Sequence, residues 1–384
     1  MKEKVWKVLS YVLVALVAAC TTIVCFLFAQ RANATKLDEV QALLKECYIG
    51  EINQGALEDA AAAAMIQSLG DEWSYYMTAE QYQQYLETAS NSYVGVGVTV
   101  QAREDQQGLD IIEVTKGSSA AEVGIQTGDR LIQIGDTSIA DMSINDVGAM
   151  IRGEEGTTVE LTVVREGQIF SFTVERRRIQ SVVASGQLLE DGVGLVTIEN
   201  FDDRCAEETI AAVNSLLSQG ANALVFDVRN NPGGYKHELV KVLDYLLPEG
   251  EVFRSVDYTG KEEIDRSDAS CVEIPMAVLV NLHSYSAAEF FAAALDDYDA
   301  AIVVGEKTYG KGYFQSAFRL SDGSAVNLSI GKYYTPKGKS LAGVGLTPDV
   351  EIPVDKETEA AIYMGQLEPE EDPQLQAAIK ALNG

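Results

Sequence analysis

The sequence predicts a multidomain α+β protein. It has an apolar N-terminal helix, a helical region, a compact β-barrel-like unit, and an α/β core built on a parallel sheet with helices. Three observations carry this reading. Val8 to Ala29 runs 22 residues without a charge. Short alternating strands bounded by turn residues fill 92–178, and from about residue 185 strands alternate with helices. The expected boundaries are 1–34, 35–91, 92–178, 179–354 and 355–384, and a length of 384 residues agrees with more than one domain.

About 20 apolar residues span a bilayer, so the run at 8–29 reads as a transmembrane anchor. The three lysines of "MKEKVWK" before it should stay in the cytoplasm, which places the rest of the chain outside. Two other readings compete. "ANA" at Ala32–Ala34 has the form of a signal-peptide cleavage site, and "VAAC" places small residues before Cys20 as in a lipoprotein signal. Against the lipoprotein, the apolar run continues well past Cys20.

Residues 35–90 read as helical. "NQGALEDAAAAAMIQSLG" is rich in good helix formers and stops at Gly70, and "TAEQYQQYLETAS" restarts with Thr78 as its N-cap. In 92–178, "YVGVGVTVQ", "GLDIIEV" and "DRLIQIG" are strands, and "TVELTVVREGQIFSFTVER" alternates on both sides of a hairpin turn at "REGQ". "SINDVGAMIRG" is a helix capped by Ser143 and stopped by Gly153.

The core begins with "VGLVTI", "ALVFDVR", "MAVLVN" and "AAIVVG", each continuous and apolar, with helical stretches between them. Such strands belong to a parallel sheet covered on both faces, with sites at their C-terminal ends. Two ends stand out, "DVRNNPGG" and "NLHSYSAAEF". The tail "QLEPEEDPQLQAAIKALNG" reads as a solvated acidic linker and a short helix.

Asp plus Glu is 58 against 29 for Lys plus Arg, a net charge of -29. This excludes a nucleic-acid partner, because phosphate binding needs basic surface. Of five cysteines, Cys20 and Cys25 lie in the apolar run, and Cys47, Cys205 and Cys271 are far apart. No CxxC, HExxH or paired-histidine pattern is present, so no metal or cofactor is expected. "GKS" at Gly338–Ser340 mimics the end of a P-loop, but Tyr333 stands where the first glycine is needed.

A strand feeding a serine that opens a helix is a place for a nucleophile, and Ser284 and Ser286 both qualify. Only two histidines exist. His283 precedes both serines on the same turn, and His237 follows a glycine turn where polar residues lie exposed. A lysine base is the alternative, from Lys307 or Lys311 in "EKTYGKGYFQ". A lysine acts as a base only when neutral, so its pKa must fall by roughly 3 units, or about 4 kcal/mol, which burial supplies. The glycines beside Lys311 would let backbone pack close and exclude water. The third element is "NNPGG", whose glycines expose N–H groups as an anion site requires. The N–H after a nucleophile at a helix start is a second donor, and for Ser286 that is Ala287.

"FDVRNNPGG", "VLVNLHSYSAAEF" and "VVGEKTYGKGYFQ" together resemble the carboxyl-terminal processing peptidases, also called tail-specific proteases. The resemblance covers roughly residues 37–353 and includes "SLGDEWSYYMTAEQY" and "GVGLTPDVEIP". It implies a Ser-Lys dyad on a crotonase-like α/β protease core. The family nucleophile is the middle serine of a triplet, with the lysine 25 positions later, which matches Ser286 and Lys311. The family glutamine lies four positions further, at Gln315, whose amide oxygen would accept from the lysine. The oxyanion donors would be Ala287 and Gly233 or Gly234. Two departures occur. Tyr285 replaces a usual alanine and would narrow the adjacent pocket, and Ala288 replaces the third serine.

The unit 92–178 resembles a PDZ domain, with "YVGVGV" as the loop before the peptide-binding strand. The resemblance implies capture of substrate C-termini at Val94, Gly95, Val96, Gly97 and Val98. Arg152 in "MIRG" reads equally as a carboxylate ligand or bridge to the core and as a surface arginine. It also implies a homodimer through 35–90 and 355–384. The expected function is thus a membrane-anchored, extracytoplasmic serine endopeptidase acting on proteins or peptides with exposed C-termini. The rivals are a catalytically idle PDZ scaffold, disfavoured by the retained Ser286, Lys311 and Gln315, and an acyl-CoA enzyme, disfavoured by the export segment.

Overall fold

A computed structural model describes residues 6, 11–22, 35–103 and 107–383. Of the expected span at 8–29, residues 11–22 are helical, and 8–10 and 23–29 lie outside the described residues. Among the described residues no helix is long and apolar enough to cross a membrane. The chain divides into two units, residues 1–68 and 69–384.

In the first unit, Lys36–Cys47 opens with a capping box. Thr35 N–H donates to Asp38 at 2.7 Å, and Asp38 N–H donates back to Thr35 Oγ1 at 3.3 Å. Gln54–Gln67 is capped by Asn53, and neither helix buries a residue. The region read as 35–91 therefore splits. Its last part belongs to the second unit, where Tyr75–Met77 forms a strand the sequence did not reveal, and the helix Ala79–Ala89 follows with Thr78 as N-cap.

The second unit holds the β-rich domain and the core. The domain sheet runs Val98–Ala102, Leu109–Val114, Arg130–Ile134, Thr158–Arg165, Gln168–Glu175, all antiparallel. The expected hairpin is present, with Arg165 opposite Gln168 and the two turn residues Glu166 and Gly167 both at positive φ (51° and 79°). Ser143 caps the helix Ile144–Ile151, accepting from Asp146 N–H at 3.2 Å. Val98–Ala102 is an edge strand. "YVGVGV", read as one strand, breaks at Val96 and Gly97. Ser92–Gly95 instead pairs with Arg177–Gln180 in a separate two-stranded ribbon that joins this domain to the core.

The core sheet has the order Ala184–Leu188, Val193–Ile198, Ala223–Asp227, Met276–Val280, Ala301–Gly305, Val350–Glu351. The first pair is antiparallel and the rest parallel. Alternate residues face opposite sides. Leu224, Phe226, Val278 and Val280 pack under Cys205–Ser218, Lys236–Leu246 and Ala287–Asp297, while Ala223, Val225, Ala277 and Leu279 pack under Pro373–Leu382. Phe226, Phe290 and Phe291 are fully buried, each stabilising the core by about 1.5–3 kcal/mol.

Two expectations need correction. The strand–helix alternation is interrupted by a second, antiparallel sheet of Tyr75–Met77, Gly250–Asp257, Glu262–Ser267, Tyr313–Arg319 and Ala325–Tyr334. The expected C-terminal helix packs on the core sheet, with Leu375, Ala378 and Ile379 buried. Its cap Asp372, read as part of a solvated linker, is buried and pairs with Arg229 at 2.7 Å.

Candidate active site

The strand Met276–Val280 delivers the chain to a turn in which Ser284 and Ser286 separate by burial and bonding. Ser284 is fully buried. Its Oγ donates to Val228 C=O at 2.8 Å and accepts from Asn281 N–H at 3.0 Å, stitching two strand ends together. Ser286 sits at the N-cap of Ala287–Asp297 with φ 51° and ψ −118°. This backbone region is sparsely populated for a residue with a Cβ and costs of order 1–3 kcal/mol. A strained strand-to-helix turn of this kind is where hydrolases hold a nucleophilic serine.

What holds that strain is Glu289, the third residue of the helix Ala287–Asp297 and fully buried. Its carboxylate accepts from Ser286 N–H at 3.0 Å, Thr308 Oγ1 at 2.6 Å, Gly310 N–H at 2.6 Å and Lys311 N–H at 2.8 Å. Four donors on two oxygens is the bonding pattern of an ionised carboxylate, while burial pushes the pKa up against them. Gly310 lets the lysine loop close. A Cβ there would lie 2.9 Å from Gly345 N, and φ is +98°.

On the other side, "NNPGG" packs against Ser286. A Cβ on Gly233 would stand 2.8 Å from Ser286 Cβ, at a φ of +91°. The buried Asn231 organises this turn. Its Oδ1 accepts from Gly233 N–H at 2.8 Å, its Nδ2 donates to Ile198 C=O at 2.7 Å, and its own C=O accepts from Tyr285 N–H at 3.0 Å. The choice left open by the sequence narrows accordingly. Gly233 N–H is engaged, whereas the N–H groups of Gly234 and Ala287 make no hydrogen bond among the described residues.

Ser286, Lys311, Gly233, Gly234 and Gln315 line one cavity of about 560 Å³. Burial pushes the Lys311 ammonium below the usual lysine range, against the pull of Glu289, Asp71 and Glu72. Its Nζ lies 4.2 Å from the ring centroid of Trp73 and makes no hydrogen bond with Ser286. Gln315 departs from expectation too. Its Nε2 donates to Tyr313 C=O and Ser329 Oγ, each at 3.2 Å, and no hydrogen bond links it to Lys311. The strand register shifts between Phe314 and Gln315.

Sequence reasoning assigned no role to Trp73, Asp71 or Glu289. The signal for Glu289 was its place in the serine motif, and for the other two "GDEWSYY". Asp71 accepts from Ser74 Oγ and Trp73 N–H, and Asn327 Nδ2 donates to Trp73 C=O at 3.0 Å. That docks the indole beside the lysine. Tyr285 lines the cavity and meets Tyr309 edge-on, with ring centroids 4.7 Å apart. Neither histidine reaches the cavity's lining, with His283 on Tyr285 OH and Glu359, and His237 beside Glu238.

The candidate peptide-binding residues divide. Val94 and Gly95 lie in the connecting ribbon opposite Arg178 and Arg177, so they do not belong to a loop beside the edge strand. Val96 is buried and its C=O accepts from Ala120 N–H, Gly97 C=O accepts from Thr115 N–H, and Val98 opens the edge strand. Arg152 is exposed at the end of Ile144–Ile151 and lines a second cavity with Tyr93, Val94, Glu199 and Asn200, away from Ser286.

Comparison with known proteins agrees with this geometry. Residues 192–352 match the model of peptidase family S41, and 111–165 match a PDZ domain. The chain is 33% identical over 332 residues to a probable CtpA-like serine protease of Staphylococcus epidermidis, covering 85% of this chain and 67% of that protein. It is 32% identical over 319 residues to the carboxy-terminal processing protease CtpA of Bacillus subtilis, covering 82% and 68%. A solved structure of a Bacteroides fragilis protein assigned to the S41 proteases shares the fold, with a TM-score of 0.53, 16% identity, and coverage of 84% of this chain and 90% of that one. The chain therefore belongs to peptidase family S41, as a CtpA-like carboxy-terminal processing serine protease with a PDZ domain.

Proposed function

We propose that this serine protease is an endopeptidase that cleaves with a Ser286–Lys311 dyad and takes the C-terminal tails of proteins on its PDZ domain. The observation that carries the dyad is Glu289. One buried carboxylate holds the backbone of both Ser286 and Lys311, and both side chains line one cavity. In the reaction the Lys311 side chain leaves the Trp73 ring, and its neutral amine takes the proton as Ser286 Oγ attacks the carbonyl. The resulting ammonium returns that proton to the leaving amine, and water then releases the acyl group from Ser286. The N–H groups of Ala287 and Gly234 face the developing oxyanion, each worth about 3 kcal/mol in such sites. Gln315 would orient the lysine only after its amide turns from Ser329.

Tail binding is supported by the free edge of Val98–Ala102, to which an extended peptide can add as a further strand. Anchoring in the cell membrane through residues 8–29, with the catalytic part outside, is supported by the uncharged run and the lysines before it. Cleavage of a tailed protein substrate by the intact chain, Ser286→Ala and Lys311→Ala tests the dyad. Both variants should lose turnover by at least a thousandfold, and equal rates in all three would end the assignment. Recovery of the protein from membranes only by detergent tests the anchor.

A further inference from the structure

Asp202 is an acidic group that the mechanism above does not use, yet it lines the cavity that holds Ser286. Its position follows from the oxyanion turn. Phe201 pairs with Gly234 as in a parallel strand, Phe201 N–H donating to Gly233 C=O at 2.7 Å and Tyr235 N–H to Phe201 C=O at 2.8 Å. The approach is so close that a Cβ on Gly234 would stand 2.6 Å from Asp202 N. Asp202 is thus the direct neighbour of a turn whose preceding glycine touches Ser286.

The carboxylate of Asp202 has no ion pair and no side-chain hydrogen bond among the described residues. The one charge that acts on it strongly is Asp203, of the same sign, and burial with that repulsion pushes its pKa up to about 7. Lys311 is the only cation among the residues lining the cavity, but the charges that pull on Lys311 are Glu289, Asp71 and Glu72. Of the tyrosines lining the cavity, two feel the charge of Asp202. Burial raises both Tyr85, to about 12, and Tyr235, and the charge of Asp202 adds to each. A half-buried carboxylate without a counter-ion, walled by aromatic rings, is the environment that an alkylammonium or guanidinium group completes. The cation gains a charge-assisted hydrogen bond and ring faces together.

We infer that the cavity contains a subsite for a lysine or arginine side chain close to the scissile bond of the substrate, with Asp202 as its counter-ion and Tyr85 and Tyr235 as its walls. The inference rests on Ser286 being the nucleophile. Asp202 acts on specificity, and the bond-breaking step remains with Ser286 and Lys311.

The test uses the full chain and a set of internally quenched peptides in which Lys, norleucine or Glu is placed in turn at each position around one cleaved bond. At one position lysine should raise kcat/KM at least tenfold over norleucine, and glutamate should lower it. Asp202→Asn should bring the lysine-to-norleucine ratio to within about twofold, and Asp202→Lys should turn the preference towards glutamate. A ratio near one at every position in the unmodified protein, or a ratio that survives Asp202→Asn, overturns the subsite. Binding of the same peptides to Ser286→Ala, with and without Asp202→Asn, separates this from the catalytic reading. Lysine-dependent affinity that needs Asp202, in a Ser286→Ala protein that still cleaves as fast as the unmodified chain, would refute the dyad and keep the subsite. Affinity indifferent to lysine refutes the subsite even where cleavage proceeds.

Discussion

The carboxylate of Glu289 holds the backbone N–H of Lys311 at 2.8 Å, and the same oxygen holds the N–H of Ser286 at 3.0 Å. The two halves of the proposed dyad come from segments 25 positions apart, and this acid fixes the distance between their backbones. Thr308 extends the clamp, donating to Glu289 at 2.6 Å while accepting from Leu346 N–H at 2.7 Å.

Glu289→Gln keeps the shape but turns an acceptor into an NH₂ group that faces two donors. Each buried donor left unsatisfied costs about 1–3 kcal/mol, so the expected loss is about 2–6 kcal/mol of stability together with peptide cleavage. Urea denaturation and a cleavage assay below the variant's melting temperature check this. An unchanged midpoint would show that the clamp bears no strain.

Trp73→Leu should move the acid limb of the kcat/KM–pH profile to lower pH. Burial lowers the Lys311 pKa against the pull of Glu289, Asp71 and Glu72, and the indole face under its Nζ favours the ammonium form as they do. A cation–π contact of about 0.5–2 kcal/mol corresponds to a shift of roughly 0.4–1.5 units. A limb that stays in place, or moves up, contradicts the role given to Trp73.

Ser284→Ala and Ser286→Ala should fail in opposite ways. The first removes a buried hydroxyl bonded to Val228 and Asn281 and should cost about 1–3 kcal/mol while the folded fraction still turns over substrate. The second should abolish turnover with little change in the denaturation midpoint. Loss of turnover in fully folded Ser284→Ala would reopen the choice of nucleophile.

Arg229→Met should release the C-terminal helix. The guanidinium is buried between Asp227 and Asp372 and also donates to Gln374 Oε1 at 3.0 Å. Removing one partner of a buried ion pair costs about 3–5 kcal/mol, because the remaining charges stay desolvated. Hydrogen exchange should quicken across Pro373–Leu382 and along Ala277 and Leu279 beneath it. Uniform protection would mean that apolar contacts alone hold the helix.

Much of this protein is local in origin, and that part was legible. The apolar strands, the caps at Thr78 and Ser143, the "REGQ" hairpin and the three motif turns each depend on a few adjacent residues. The spacing from Ser286 to Lys311 likewise lies along the chain. Contacts between distant segments were not legible. The strand Tyr75–Met77 exists because it meets Ala325–Asn327, and the ribbon at Val94 and Gly95 because Arg177 and Arg178 return to pair with it. At atomic scale even short-range contacts were not legible, because side-chain orientation is settled by the packed fold. Asn231 decides which glycine N–H is left for an oxyanion, Ser329 decides where the Gln315 amide points, and Trp73 decides where the Lys311 ammonium rests. The sequence determined which groups could do chemistry, since residue type and spacing fix reactivity and local backbone. Which of them meet depends on the packed fold, because a hydrogen bond or a ring contact needs both partners placed in three dimensions, whether they are neighbours like Asn231 and Gly233 or far apart like Trp73 and Lys311.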